Sequence, residues 1–297
     1  MTHKVDALAM GLRKYSRPSY ASPPDNLAEY ALRIYRRLTL SNLTLREKCN
    51  IAQSVAETAR LVRPMIWHRA QEKEPEFKEK LEALSRHGYI PFEYPSLRQL
   101  AEDCQQLIPK EAQKNVNSQE QKRIFDFVQQ HPVTQALIED EDLHSLVTLY
   151  LGAPAILQTV EAWWQEPSLS EVVNTQKWHR DSDDFAFVKL FAYLTDVDED
   201  SSPHLFLPGT HDPDQLPHLF SGSEEYSSLI DGSKHAFTPS STFENFGYQG
   251  ETVMQLGPSG TAFLEDTRGF HKAHAPSLKP RLMFCMVWCI GAGRSIR

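Results

Sequence analysis

The sequence predicts an α+β protein, helical in its first half and an antiparallel two-sheet jelly roll in its second. Three observations carry this reading. From about residue 25 to residue 152, apolar residues recur at three- and four-residue spacing between helix start and stop signals. From residue 153 onward, short aromatic and aliphatic runs alternate with clusters of Pro, Gly, Asp and Ser. A helical block followed by many short strands is the pattern of helices packed on one face of an antiparallel sheet pair.

Residues 1–24, with Pro18, Pro23 and Pro24, read as a loosely draped arm. Leu27, Tyr30, Ala31, Ile34, Tyr35 and Leu38 keep helical spacing. Thr44 and Glu47 form a capping box that opens a helix running to Pro64. Pro75 and Gly88 bracket a third helix with Phe77, Leu81 and Leu84 as its stripe. Residues 89–94 are short and extended. Ser96 and Gln99 form a second capping box, opening an amphipathic helix through Leu107 and Ile108. Ser118 caps a helix that ends before Pro132. Leu143, Leu146, Val147, Tyr150 and Leu151 form the last one, stopped by Gly152.

Strands are expected over 156–165, 174–181, 185–197, 205–207, 251–255, 261–265 and 281–290. The run 185–194 is apolar on both alternating faces except for Lys189, so it is predicted to be buried on both sides. Residues 212–250 show no sustained period, and a loop this long inside a compact domain is functional or disordered. It is the candidate lid.

The formal net charge of -8 sets aside a dedicated nucleic-acid binder. No run approaches the ~20 apolar residues of a membrane span. The first twenty residues lack the apolar core of a secretory signal. Cys49, Cys104, Cys285 and Cys289 have no zinc-type spacing and read as buried, reduced thiols of a cytoplasmic protein.

The chemistry concentrates at His179-Arg180-Asp181. On a strand, residues two apart share a face, so His179 and Asp181 present an imidazole and a carboxylate together. A distant histidine would complete a 2-His-1-carboxylate set, which leaves coordination positions open on a non-haem Fe(II). His271, in Asp266-Thr-Arg-Gly-Phe-His271, competes for that place with His274. Ten residues after His271 stands Arg281, which shares a strand face with Met283, Cys285 and Val287. A charge aimed into an apolar interior needs a partner, and a guanidinium forks onto a carboxylate. Lys189 also needs one: a cosubstrate acid, a substrate acid or a structural salt bridge.

These segments, with residues 187–197, the turn Leu207-Pro-Gly-Thr-His211, the layout around Gly88 and the Leu151-Gly152 turn, resemble the phytanoyl-CoA dioxygenase (PhyH-like) family over roughly residues 80–290. Residues 1–79 have no counterpart there. The resemblance implies a double-stranded β-helix (jelly roll, cupin-like) with helices packed on one face. It implies Fe(II) on His179, Asp181 and His271, with 2-oxoglutarate on Arg281 and O2 as second cosubstrate. The implied reaction oxidises a C–H bond of a small molecule and releases succinate and CO2. Asp181 implies hydroxylation, since related halogenases carry a small residue there. Where some members place a serine two positions after the distal histidine, this chain has Ala273.

The division expected is an N-terminal arm and helical extension over 1–79 and an oxygenase domain over 80–297. The expected partner is a small-molecule substrate, not nucleic acid or membrane. Two other readings stand beside this one: a cupin-like metal enzyme indifferent to 2-oxoglutarate, and a non-catalytic interaction protein.

Overall fold

The computed structural model describes residues 43–62, 75–107, 118–171, 174–221 and 238–290. The helix expected over 27–38 lies outside them. Helix α1 (Leu45–Val62) opens on the expected capping box: the Glu47 carboxylate accepts from Thr44 N at 2.7 Å, and Thr44 Oγ1 accepts from Glu47 N at 3.2 Å. Helix α2 (Pro75–His87) ends at Gly88, which leads into β1 (Tyr89–Phe92). Gly88 has φ +73°, and a Cβ there would meet the His211 ring at 2.5 Å, so both conformation and packing require glycine. One helix therefore runs through residues 75–87 without a break at residue 79.

Helix α3 (Leu97–Gln106) forms as expected, but Ser96 does not cap it. The Tyr94-Pro95 turn hands its carbonyls to Leu97 N and Arg98 N, and the Gln99 amide turns to Asp103. Helix α4 (Ser118–Gln130) is followed by α5 (Pro132–Glu139), an element the sequence reading missed. Pro132 ends the first helix and starts the second: His131 caps it, accepting from Val133 N at 3.2 Å. Helix α6 (Glu141–Leu151) is capped by Asp140 and stopped by Gly152 at φ +69°. A Cβ on Gly152 would meet that of Ala56 at 2.7 Å, which shows α1 packed on the end of α6.

The remaining strands are β2 (Ile156–Gln165), β3 (Phe187–Tyr193), β4 (His204–Phe206), β5 (Val253–Gln255), β6 (Ala262–Glu265), β7 (His271–Ala273) and β8 (Arg281–Cys289). They form two antiparallel sheets, ordered β1-β6-β3-β8-β2 and β5-β4-β7. The fold is thus the expected α+β jelly-roll arrangement. Residues alternate along β3 and β8. Val188, Leu190, Ala192, Leu282, Phe284, Met286 and Trp288 pack beneath the helices. Phe187, Phe191, Tyr193, Met283, Cys285, Val287 and Cys289 fill the space between the sheets, where Phe263 joins them. Strand β3 is buried on both sides, as predicted, and the two cysteines of β8 are buried thiols outside any disulfide. No described helix is long and apolar enough to cross a membrane.

Two expectations are corrected. Residues 174–181 are not a strand: Asn174–Gln176 is a 3-10 turn, and only single bridges follow, Trp178 to Thr238 and His179 to His271. The partner strand β7 is three residues long, so a ladder has nothing to extend along. Nor are the flanks of 212–250 structureless. Leu216–Leu219 and Ser240–Phe243 form short helices, α7 and α8. Leu216, Phe220 and Phe243 pack with Trp178, Leu207, Phe270 and Leu45 of α1. Residues 222–237 lie outside the described residues.

Candidate metal centre

His179 and His271 are brought together by the backbone. Each donates its N–H to the other's carbonyl, at 3.1 and 3.0 Å, and their ring centroids lie 4.2 Å apart. Asp181 is fixed by its own N–H, which donates to Thr267 O at 2.8 Å. His179, Asp181 and His271 each offer a ligand atom, and these atoms all lie within 4.8 Å of one another. Among the described residues this is the one such group of His, Cys, Asp or Glu. His274 is not in it.

The donor set fits a metal. Nδ1 of His179 lies 2.8 Å from Lys177 O, and Nδ1 of His271 lies 3.1 Å from Gly269 O. A carbonyl can only accept, so both Nδ1 atoms carry the proton, and in the neutral ring each Nε2 keeps the lone pair a metal would use. Those Nε2 atoms face Asp181, at 3.8 Å for His179 and 3.4 Å for His271. Backbone carbonyls that set the tautomer of a ligating histidine are the usual outer support of a metal site. Burial and the neighbouring His271 push His179 down to about 3. Burial also opposes charge on His271, but the Asp181 carboxylate outweighs it and raises His271. Burial would raise Asp181, yet Lys189 and then His271 hold it well below the usual carboxylate range.

Lys189, which needed a partner, makes two ion pairs. Its ammonium lies 2.7 Å from Asp181 Oδ2 and 2.7 Å from Asp183 Oδ2. It neutralises two partly buried carboxylates beside the ligand atoms. Without metal, Lys189→Met leaves those carboxylates facing each other and is expected to destabilise the fold by about 3 kcal/mol. Added divalent metal should restore much of this, because it supplies the missing positive charge. Thermal unfolding with and without metal checks both halves.

Arg281 is 2% exposed and sits at the far end of the inner face of β8. Nη1 donates to Ser202 O, the guanidinium lies 5.9 Å from the Tyr193 ring centroid, and Nε has no hydrogen-bond partner. Among the described residues no carboxylate pairs with it. Burial lowers its pKa from the ordinary arginine value. An unneutralised, buried guanidinium is a strong anion site.

Two groups in the same interior escaped the sequence reading, which gave His204 no role and passed over Glu265. His204 Nε2 lies 3.0 and 2.9 Å from the two carboxylate oxygens of Glu265. The His204 ring stacks 5.5 Å from that of His271 and touches Phe191 and Phe263. The available signal was alternation: each is a lone polar residue in an apolar strand, two positions from an inward phenylalanine, Phe206 or Phe263.

Burial pushes Glu265 up to about 8 and holds His204 well below its ordinary value. The folded pair therefore keeps one proton on the acid and none beyond neutrality on the imidazole. Between the unfolded pKa values, ~4.3 and ~6.5, the unfolded pair also binds one proton in total, so no pH slope arises. Above ~6.5 the unfolded histidine loses it while folded Glu265 retains its own. Stability should then fall by up to about 2 kcal/mol as pH rises to 8. Glu265→Gln should flatten that slope in pH-dependent denaturation of the metal-free protein.

Helix α1 braces the site from outside. Lys48 Nζ donates to Ser182 Oγ at 2.8 Å, beside the His-x-Asp segment, and burial, with Arg180 and Arg268, lowers Lys48 to about 8. Arg268 grips Asp266, and the Tyr150 hydroxyl donates to Asp266 at 2.5 Å, which fixes the turn leading into His271. His211 packs against α2, its Nε2 lying 3.1 Å from Ser85 O.

No protein-family model matches the chain, and no curated protein matches it by sequence. Among solved structures it is similar to EctD from S. alaskensis with 2-oxoglutarate and 5-hydroxyectoine, at 16% identity and a TM-score of 0.47, over 73% of this chain and 77% of that one. It is similar to the non-heme alpha ketoglutarate dependent epimerase SnoN from nogalamycin biosynthesis at 17% identity and TM-score 0.45, over 72% and 82%. AviO1 from Streptomyces viridochromogenes Tue57 gives 15% identity and TM-score 0.46, over 75% and 98%. Likenesses this distant assign no activity.

Proposed function

We propose that the chain is a PhyH-like, non-haem Fe(II)/2-oxoglutarate-dependent oxygenase that hydroxylates a C–H bond of a small molecule. The observation that carries this is the convergence of His179, Asp181 and His271 with both Nε2 atoms turned toward the carboxylate and both Nδ1 atoms on backbone carbonyls. His179, Asp181 and His271 hold the ion in this reading, on one side only, leaving positions for other ligands. Bound there with 2-oxoglutarate and O2, Fe(II) supplies the oxidative decarboxylation that gives succinate and CO2 and oxidises the substrate.

The chain's own contribution is position and charge. Arg281 takes the remote carboxylate of the keto diacid, which would relieve an otherwise unneutralised buried cation. Lys189 holds Asp181 ionised and oriented toward the centre. The described flanks, residues 212–221 and 238–250, form a cover anchored by Leu216, Phe220 and Phe243 around Trp178, next to His179. The buried Arg281 favours this reading over a jelly-roll metal enzyme that ignores 2-oxoglutarate. Succinate formation from 2-oxoglutarate tests it. The reaction is expected to require Fe(II) and O2; succinate that appears equally without iron would overturn the proposal.

A further inference from the structure

The inner face of the small sheet has a gap in its polar lining, and one residue stands opposite it. Strand register pairs Phe206 with His271 and His204 with Ala273. Directly paired residues in an antiparallel ladder project to the same face. The inner face thus carries His271 and Phe206 in one row, and Ala273 and His204 in the next. Two residues further toward the N-terminus, Ser202 O accepts from Arg281. His204 N donates to the Tyr193 hydroxyl at 3.1 Å, and Arg281 lies over that same tyrosine ring. His204 is therefore one row, about 6.6 Å of strand, from the row of His271, and on its other side it shares Tyr193 with Arg281.

The methyl group of Ala273 can bond nothing, so the polar side chain paired with it is that of His204, whose other neighbour in the row is Gln255 of β5. The His204 ring is not free to turn. Glu265, reaching across from the large sheet, holds Nε2, while Phe191 and Phe263 pack against the ring. Glu265 is itself fully buried, opposite Lys189 in the β3–β6 register. A buried acid and imidazole fastened to each other across two sheets, beside a bare alanine, are a built arrangement with no use yet assigned.

We propose that His204 binds 2-oxoglutarate between the metal ligands and Arg281, and that Glu265 is the positioning residue that sets the ring for this contact. This rests on the oxygenase reading above. The inference makes His204 a binding residue in the middle of the slot, and it accounts for a small residue at position 273, which leaves the imidazole room.

The test is anaerobic titration of the Fe(II)-loaded protein with 2-oxoglutarate, followed by the visible charge-transfer band, beside a separate Fe(II) titration. His204→Leu is expected to weaken 2-oxoglutarate binding about tenfold, the worth of one hydrogen bond, with Fe(II) affinity unchanged. Glu265→Ala should weaken it similarly, and Glu265→Gln, which keeps a bond to the ring, should lie nearer the wild type. If His204→Leu does not fold, the smaller His204→Asn carries the same comparison. Wild-type affinity for 2-oxoglutarate in the His204 variants overturns the inference, as does an equal loss of Fe(II) binding, which would make the pair a support of the metal alone. A wild-type protein that binds Fe(II) but gives no band at any 2-oxoglutarate concentration overturns the oxygenase reading instead.

Discussion

His179→Ala is expected to reduce Fe(II)-dependent turnover of 2-oxoglutarate to background. The three ligand atoms lie within 4.8 Å, and nothing else among the described residues can complete the set. His204, the nearest spare imidazole, is bound to Glu265 through Nε2 and faces the barrel interior. The fold should survive the substitution, because the bridge to His271 uses backbone atoms of residue 179 and not its ring. His274→Ala is the internal control. It removes an imidazole three residues from a ligand but outside the site, and activity should be retained. Succinate assays on the two variants, with thermal unfolding as a check on folding, decide the assignment. Equal loss in both, or loss in neither, would contradict it.

Arg281→Leu is expected to lower 2-oxoglutarate affinity by about a hundredfold or more, the scale of losing a buried charge-assisted pair. The same substitution should leave the cosubstrate-free protein at least as stable as the wild type. The guanidinium is buried with no counter-charge, so leucine removes a desolvation cost and gives up one bond to Ser202 O. A purely structural arginine predicts the opposite pattern, with stability falling and affinity unmoved. Arg281→Lys should recover only part of the affinity, since an ammonium keeps the charge but not the fork. Isothermal titration and thermal unfolding of the same preparations separate the two accounts.

Much of this arrangement could be read from residue order, and the failures share a cause. Local signals translated directly. Thr44 with Glu47, Pro75 with Gly88 and Gly152 after Leu151 each marked a helix end, because capping depends only on neighbours in sequence. The period of two along β8 placed Arg281 inward with Met283 and Cys285. The His-x-Asp pair was legible even though its strand was not: the histidine–aspartate spacing survives when two backbone bridges replace a ladder. Ser96 failed as a cap because the preceding Tyr94-Pro95 turn already satisfied the helix start.

What stayed hidden depends on register between distant strands. Lys189 demanded a partner, but its pairing with Asp183 as well as Asp181 follows from how β3 meets the turn before it. His204 and Glu265 are separated by 61 residues and meet only because the two sheets face each other. Lys48 reaches Ser182 from a helix that the family resemblance does not cover. The odd polar residue in a strand is visible in the sequence, but the residue it meets is not, because that depends on register between elements far apart in the chain.

The central claim is that one ion sits on His179, Asp181 and His271, on the side facing Arg281. Anomalous diffraction at the iron edge, from crystals soaked anaerobically with Fe(II) and 2-oxoglutarate, tests it most directly. The account predicts a single strong peak within bonding distance of both Nε2 atoms and an Asp181 oxygen, with the diacid reaching from it to the guanidinium. A peak elsewhere, or none while Lys189 still occupies Asp181, would contradict it.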